Sequence, residues 1–131
     1  VASQSSGQAG ATAVLTGDAG GHFVTTGSIN GAMVRFLVDT GATLISLGAS
    51  DARRIGVDTR TGQVAIVTTA NGQARVVRVK LDLVRVGEIV VNGVDALVHE
   101  QDMPLALLGM SFLNRLEMQR DGPTMTLRKR Y

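Results

Sequence analysis

Phe36-Leu37-Val38-Asp39-Thr40-Gly41-Ala42-Thr43 is the stretch that decides how this chain is read. An apolar run of strand character ends on a carboxylate, and a hydroxyl and a glycine follow at once. That order can hold an ionisable group at a tight backbone turn. Gly41 lets another chain segment come close because it carries no Cβ, and Thr40 can hydrogen-bond across a junction. The tetrad Asp39-Thr40-Gly41-Ala42 occurs once in the chain. An aspartate at a strand end also commonly bonds its own turn, so the residue type alone leaves both uses open.

The segments around the tetrad read as strands. Residues 22–29 and 32–39 flank Asn30-Gly31, a pair that tolerates positive φ at both turn positions, so a hairpin is expected just before Asp39. After it, residues 44–47 form a short strand. Residues 50–55 read as one or two helical turns, with Ser50 as N-cap and Gly56 as the stop. Two further hairpins are expected: 63–69 with 73–86 around Asn71-Gly72, and 88–91 with 94–99 around Asn92-Gly93. The run Leu105-Ala106-Leu107-Leu108-Gly109 echoes Phe36-Leu37-Val38-Asp39, since both are apolar and end at a turn. A short helix over 111–115 and strands over 116–120 and 124–130 close the chain. Short helices among Asn-Gly turns indicate an all-β barrel or sandwich.

Composition narrows the rest. With 131 residues, 44% of them apolar, the chain has room for one domain with a real core. Residues 1–20 are rich in Gly, Ser and Ala and read as a flexible linker or arm, at least to about Thr16; residues 21–131 read as the domain. With only 3% aromatic residues, the stacking platforms of single-strand nucleic-acid binders are missing. The net charge is only +2, so Arg53-Arg54 and Arg128-Lys129-Arg130 read as solvated faces, and no nucleic-acid partner is expected. The chain has no cysteine, which excludes disulfides, thiolate catalysis and Cys-ligated zinc.

Taken with Leu107-Leu108-Gly109 downstream, Val38-Asp39-Thr40-Gly41-Ala42-Thr43 resembles the retropepsin-like aspartic proteases of the bacterial type, single-domain retroviral-type relatives of pepsin. The elements match in order across residues 21–131: a hairpin before the Asp, a glycine-bearing hairpin after it, an apolar-apolar-Gly segment, a short helix and a terminal strand. The resemblance implies a closed six- to seven-stranded acid-protease-like barrel with one or two short helices. It also implies an aspartic endopeptidase acting on a protein or peptide substrate, with no metal and no cofactor. Such chemistry needs two carboxylates that share one proton, because like charges a few Å apart cannot both ionise cheaply. Asp18, Asp51, Asp58, Asp82, Asp95, Asp102, Asp121, Glu88, Glu100 and Glu117 all lack a following Thr-Gly or Ser-Gly. The resemblance therefore implies a homodimer in which each copy brings Asp39. Thr40 would bond across the axis and Gly41 would permit the approach. Ala42 and Thr43 complete the loop, and Leu107, Leu108 and Gly109 would pack behind it.

The Asn71-Gly72 hairpin falls where that family carries its flap, which maps a mobile lid onto Thr69, Ala70, Asn71, Gly72, Gln73 and Ala74. The segment departs from pepsin-type flaps in having no aromatic residue. A linker at the amino end suits a periplasmic or exported domain tethered upstream by a membrane anchor. The competing expectation is a catalytically silent protease-like module that binds peptide or dimerises. Other chemistries find less support. His22 and His99 lack metal-site spacing, and Gly109-Met110-Ser111-Phe112-Leu113 lacks the second glycine of a nucleophile elbow. Gly17-Asp18-Ala19-Gly20-Gly21 lacks the Lys-Ser/Thr end of a phosphate loop. Met103, Met110, Met118 and Met125 are expected to fill gaps in the core.

Overall fold

A computed structural model describes residues 10–130. Ten strands and two short helices alternate along it: β1 (Thr12–Thr16), β2 (Val24–Ile29), β3 (Ala32–Val38), β4 (Ile45–Leu47), α1 (Ala49–Ile55), β5 (Gln63–Thr69), β6 (Gly72–Val86), β7 (Ile89–His99), β8 (Ala106–Leu108), α2 (Met110–Leu113), β9 (Leu116–Asp121) and β10 (Thr124–Lys129). The larger sheet runs β2-β3-β8-β4-β7-β6-β5, and a further pairing of β2 with β6 closes six of its strands into a barrel. β5 stands outside the ring, on β6. This is the all-β, six- to seven-stranded closed architecture expected from the resemblance.

The turns explain the closure. Asn30 and Gly31 both take positive φ, 51° and 87°, and fold β2 back on β3 as the sequence predicts. Where β2 meets β6, Gly27 pairs with Val86. A Cβ on Gly27 would run into the Arg85 carbonyl and the Phe36 ring, so only glycine lets the seam draw shut. Inside lie Phe36, Ile29, Ile45, Leu47, Leu81, Ile89, Leu108 and Phe112, all fully buried. Each such side chain contributes about 1.5–3 kcal/mol of transfer free energy. The two echoing apolar runs lie side by side as parallel strands, with Phe36 opposite Ala106, Leu37 opposite Leu107 and Val38 opposite Leu108.

Several expectations need correction. The linker expected through Thr16 is ordered from Thr12: β1 pairs with β10, which pairs with β9 in a separate three-stranded sheet. The cause is alternation inside an otherwise small-residue segment, since Ala13 and Leu15 are buried while Val14 is exposed. Gly17-Asp18-Ala19-Gly20-Gly21 is likewise a built turn, in which the Asp18 carboxylate accepts from the Gly20 and His22 amides, both at 2.9 Å. Residues 1–9 of the expected linker lie outside the described residues.

Asn92-Gly93 is not a hairpin turn. β7 runs straight through it, and the real reversal is at Gly87-Glu88, with Val86 opposite Ile89. Around Asn92-Gly93 both strands switch their inward face. Buried positions pass from Ile89 and Val91 to Val94, Ala96 and Val98 on β7, and from Val79 and Leu81 to Val84 and Val86 on β6. Gly93 (φ 63°) provides the irregular backbone, and Arg115 covers the freed carbonyls by donating to Asn92 O (3.1 Å) and Gly93 O (3.2 Å).

Helix α1 is capped by Gly48 rather than Ser50. The Ser50 amide is taken by the Asp102 carboxylate (2.7 Å), a distant side chain doing what a local hydroxyl was expected to do. Gly56 ends the helix in the left-handed region as expected, its amide donating to Ala52 O and Arg53 O. Of the four methionines expected in the core, Met110 and Met125 pack against it, whereas Met118 is 40% exposed.

Candidate active site

Asp39 follows β3 directly, and its amide extends the parallel ladder by one bond, donating to Leu108 O (3.1 Å). The carboxylate turns back on its own loop, where Oδ1 accepts the Gly41 amide at 2.9 Å. Ala42 N donates to Asp39 O at 3.1 Å and closes the turn. Both uses open to an aspartate here are thus compatible, because one oxygen bonds the turn while the side chain stays only half-buried.

The loop is then fastened from behind. Gly109 caps α2, and the helix gives its first amides to the loop: Met110 N to Ala42 O (2.8 Å) and Ser111 N to Thr43 O (2.9 Å). A Cβ on Gly109 would collide with the Leu44 and Ala42 carbonyls, so glycine is required for α2 to sit this close. The Ser111 hydroxyl accepts from Ile45 N (3.0 Å) and donates to Asp95 O (2.8 Å), tying loop, helix and β7 together. The sequence had placed Ser111 only in a short helix; a hydroxyl two residues beyond the apolar-apolar-Gly segment was the available signal. Leu108 is fully buried behind the loop, whereas Leu107 is half-buried and lines a cleft.

That cleft has a volume of about 740 Å³ and is walled by Ala42, Thr43 and Leu44 on one side. On the other side stand Val67, Thr68, Thr69, Asn71, Gln73, Ala74 and Arg75 of the β5–β6 hairpin; His99 and residues 100–104 complete it. Of the residues assigned to a lid, Thr69, Asn71, Gln73 and Ala74 face this space, with Ala70 and Gly72 at the exposed tip. Thr69 pairs with Gly72; its hydroxyl donates to Gly72 O (2.8 Å) and accepts from Asn71 N (3.2 Å), which stiffens the tip without an aromatic residue. Gly72 alone takes positive φ here (103°), so this turn differs in form from Asn30-Gly31. Thr40 and Gly41 are exposed. His99 is half-buried, and desolvation lowers its pKa from the ordinary histidine value. Among the described residues no cluster of three or more His, Cys, Asp and Glu side chains could hold a metal ion.

Residues 25–115 match the family described as "gag-polyprotein putative aspartyl protease". The fold is similar to the crystal structure of a retropepsin-like aspartic protease from Rickettsia conorii, with a TM-score of 0.78 and 28% identity over 90% of each chain. EIAV protease in an inhibitor complex shares the fold, with a TM-score of 0.59 and 22% identity over 70% of this chain and 84% of that one. A Sinorhizobium protein encoded in the cobV 5' region, itself uncharacterised, is 42% identical over 84 residues. The match takes in 63% of this chain and only 36% of the length of that curated relative. A family match spanning the Asp39 loop, the β5–β6 hairpin and the β8–α2 clamp, on a closed barrel of this topology, places the chain in the retropepsin-like aspartic protease family.

Proposed function

We propose that the protein is an aspartic endopeptidase, active as a homodimer, that hydrolyses peptide bonds in an extended segment of a protein substrate. The observation that carries this is the way the half-buried Asp39 is held: its backbone amide donates to the Leu108 carbonyl and its carboxylate accepts the Gly41 amide, on a loop clamped by α2. The same loop walls a cleft faced by a hairpin lid. A single chain offers one such group, and the chemistry needs two. Two copies of Asp39 facing each other would share a proton and titrate as a unit. The ionised member would take a proton from water while the protonated member polarises the scissile carbonyl. The substrate backbone would lie as an added strand beneath the lid.

Gly41 supports the dimeric reading. Its φ is not left-handed, and in the single chain an added Cβ would meet only the Asp39 Oδ1, at 3.2 Å. Within one copy the demand for glycine thus comes from one side-chain oxygen, and a second loop arriving across an axis, where the exposed Thr40 hydroxyl would find its partner, would strengthen it.

The test is digestion of a peptide library by wild type and Asp39→Asn, with circular dichroism melts of both. Cleavage by wild type and none by the variant, at equal melting temperature, is the expected result. Binding of peptides by both proteins with turnover by neither would assign the silent module instead.

A further inference from the structure

The lid is attached to the barrel over a short length. Rungs between β6 and β7 end at Val76–His99; beyond that point β5 and β6 pair only with each other, out to Thr69–Gly72. The next register position holds Arg75 on the lid and Glu100 on the cleft wall, and there Arg75 Nη1 lies 3.3 Å from Glu100 Oε1. An ion pair thus continues the ladder after the backbone has stopped pairing. Glu100 is a firm post for it, because the following residues are pinned to α1: Ala49 N donates to Gln101 O (3.1 Å) and Ser50 N to Asp102 Oδ1 (2.7 Å). Arg75 and Glu100 both line the cleft.

From this geometry we propose that Arg75 and Glu100 are positioning residues that latch the root of the lid to the cleft wall and so set how tightly an extended peptide is held. The proposal rests on the cleavage reading for its consequence, but not for the latch itself. The two side chains are 57% and 58% exposed, so salt screens the pair and its effect is small. An exposed pair of this kind shifts an opening equilibrium by about two- to fivefold.

Hydrogen exchange of the full chain, read over residues 67–75, tests the latch at low and high salt. Glu100→Gln and Arg75→Gln are each expected to speed exchange there by about two- to fivefold. The charge-swapped double variant, Arg75→Glu with Glu100→Arg, is expected to return toward wild type. High salt brings wild type to the rate of the single variants and leaves those unchanged. Unaltered exchange in the single variants, or a swap as fast as either of them, overturns the proposal. On a peptide that wild type cleaves, the single variants are expected to raise KM by a similar factor with kcat nearly constant, and the swap to restore it. Exchange that responds while wild type cuts no peptide would retain the latch and remove the cleavage reading. Cleavage with unresponsive exchange would do the reverse.

Discussion

His99 closes β7 half-buried at the cleft, and its setting bears on the pH range in which the fold survives. Desolvation lowers its pKa in the folded state, so the unfolded chain takes up the proton first as pH falls. The stability gained from keeping the ring neutral is complete above the ordinary histidine value of about 6.5 and is lost as pH drops through the lower folded value. Asp95 and Asp102 act at the other end of the scale. The Arg78 guanidinium hydrogen-bonded to Asp95, and Ser50 hydrogen-bonded to Asp102, hold both carboxyls below the usual carboxylate range. Their contributions are complete above the ordinary carboxylate value and are lost as pH falls from there through the lowered folded values. Acid-leaning catalysis by a shared-proton pair would therefore meet its first stability cost from His99. His99→Gln should flatten the fall in melting temperature between pH 7 and pH 5 relative to wild type. Equal slopes for the two proteins would show that His99 protonation is not what limits the fold.

β1 carries the clearest prediction among the elements. It lies along β10, buries Ala13 and Leu15, and is tied to the β6–β7 turn by Glu88 N donating to Thr12 O (3.3 Å) and Thr12 N donating to Glu88 Oε1 (3.3 Å). Leu15→Ala should cost about 2–5 kcal/mol, as for other buried leucines. A chain starting at Gly17 should lose at least as much in urea titration, whereas a stability unchanged by either alteration would mean that β1 is ornamental. β1 also marks where the sequence stops being readable. Strands were legible where Val, Ile and Thr recurred between turn pairs, as around Asn30-Gly31; the echo between the 36–39 and 105–109 runs was visible, but their parallel pairing was not. In β1 the alternation is short and set among Gly, Ser and Ala, so composition hid it. At Asn92-Gly93 the residues of a turn serve a change of face inside two long strands, and only the partner strand settles which. The site was legible to the same extent. The Asp39 loop is a local pattern and could be read directly. Ser111, Asp102 and the Arg75–Glu100 pair act across many intervening residues, and no spacing announces contacts of that range.

At the scale of the whole molecule, the proposed catalytic centre, divided between two copies, has a consequence that a self-contained site cannot imitate. Each chain brings one Asp39, so a dimer of wild type with Asp39→Asn would hold one ionisable carboxyl and one amide. The amide cannot take or give the shared proton, and the mixed species is expected to be inactive. If the variant folds and pairs as wild type does, random exchange of subunits makes the active fraction fall as the square of the wild-type fraction. With equal amounts of the two proteins, activity per wild-type chain should drop to about half of its unmixed value. Adding more variant should push it toward zero. Activity per wild-type chain that stays constant on mixing, at concentrations where sedimentation shows subunits exchanging, would place the whole reaction within one copy. Dilution gives a second reading of the same equilibrium, because activity per chain should fall below the dimer dissociation constant and should recover when saturating peptide bridges the two halves.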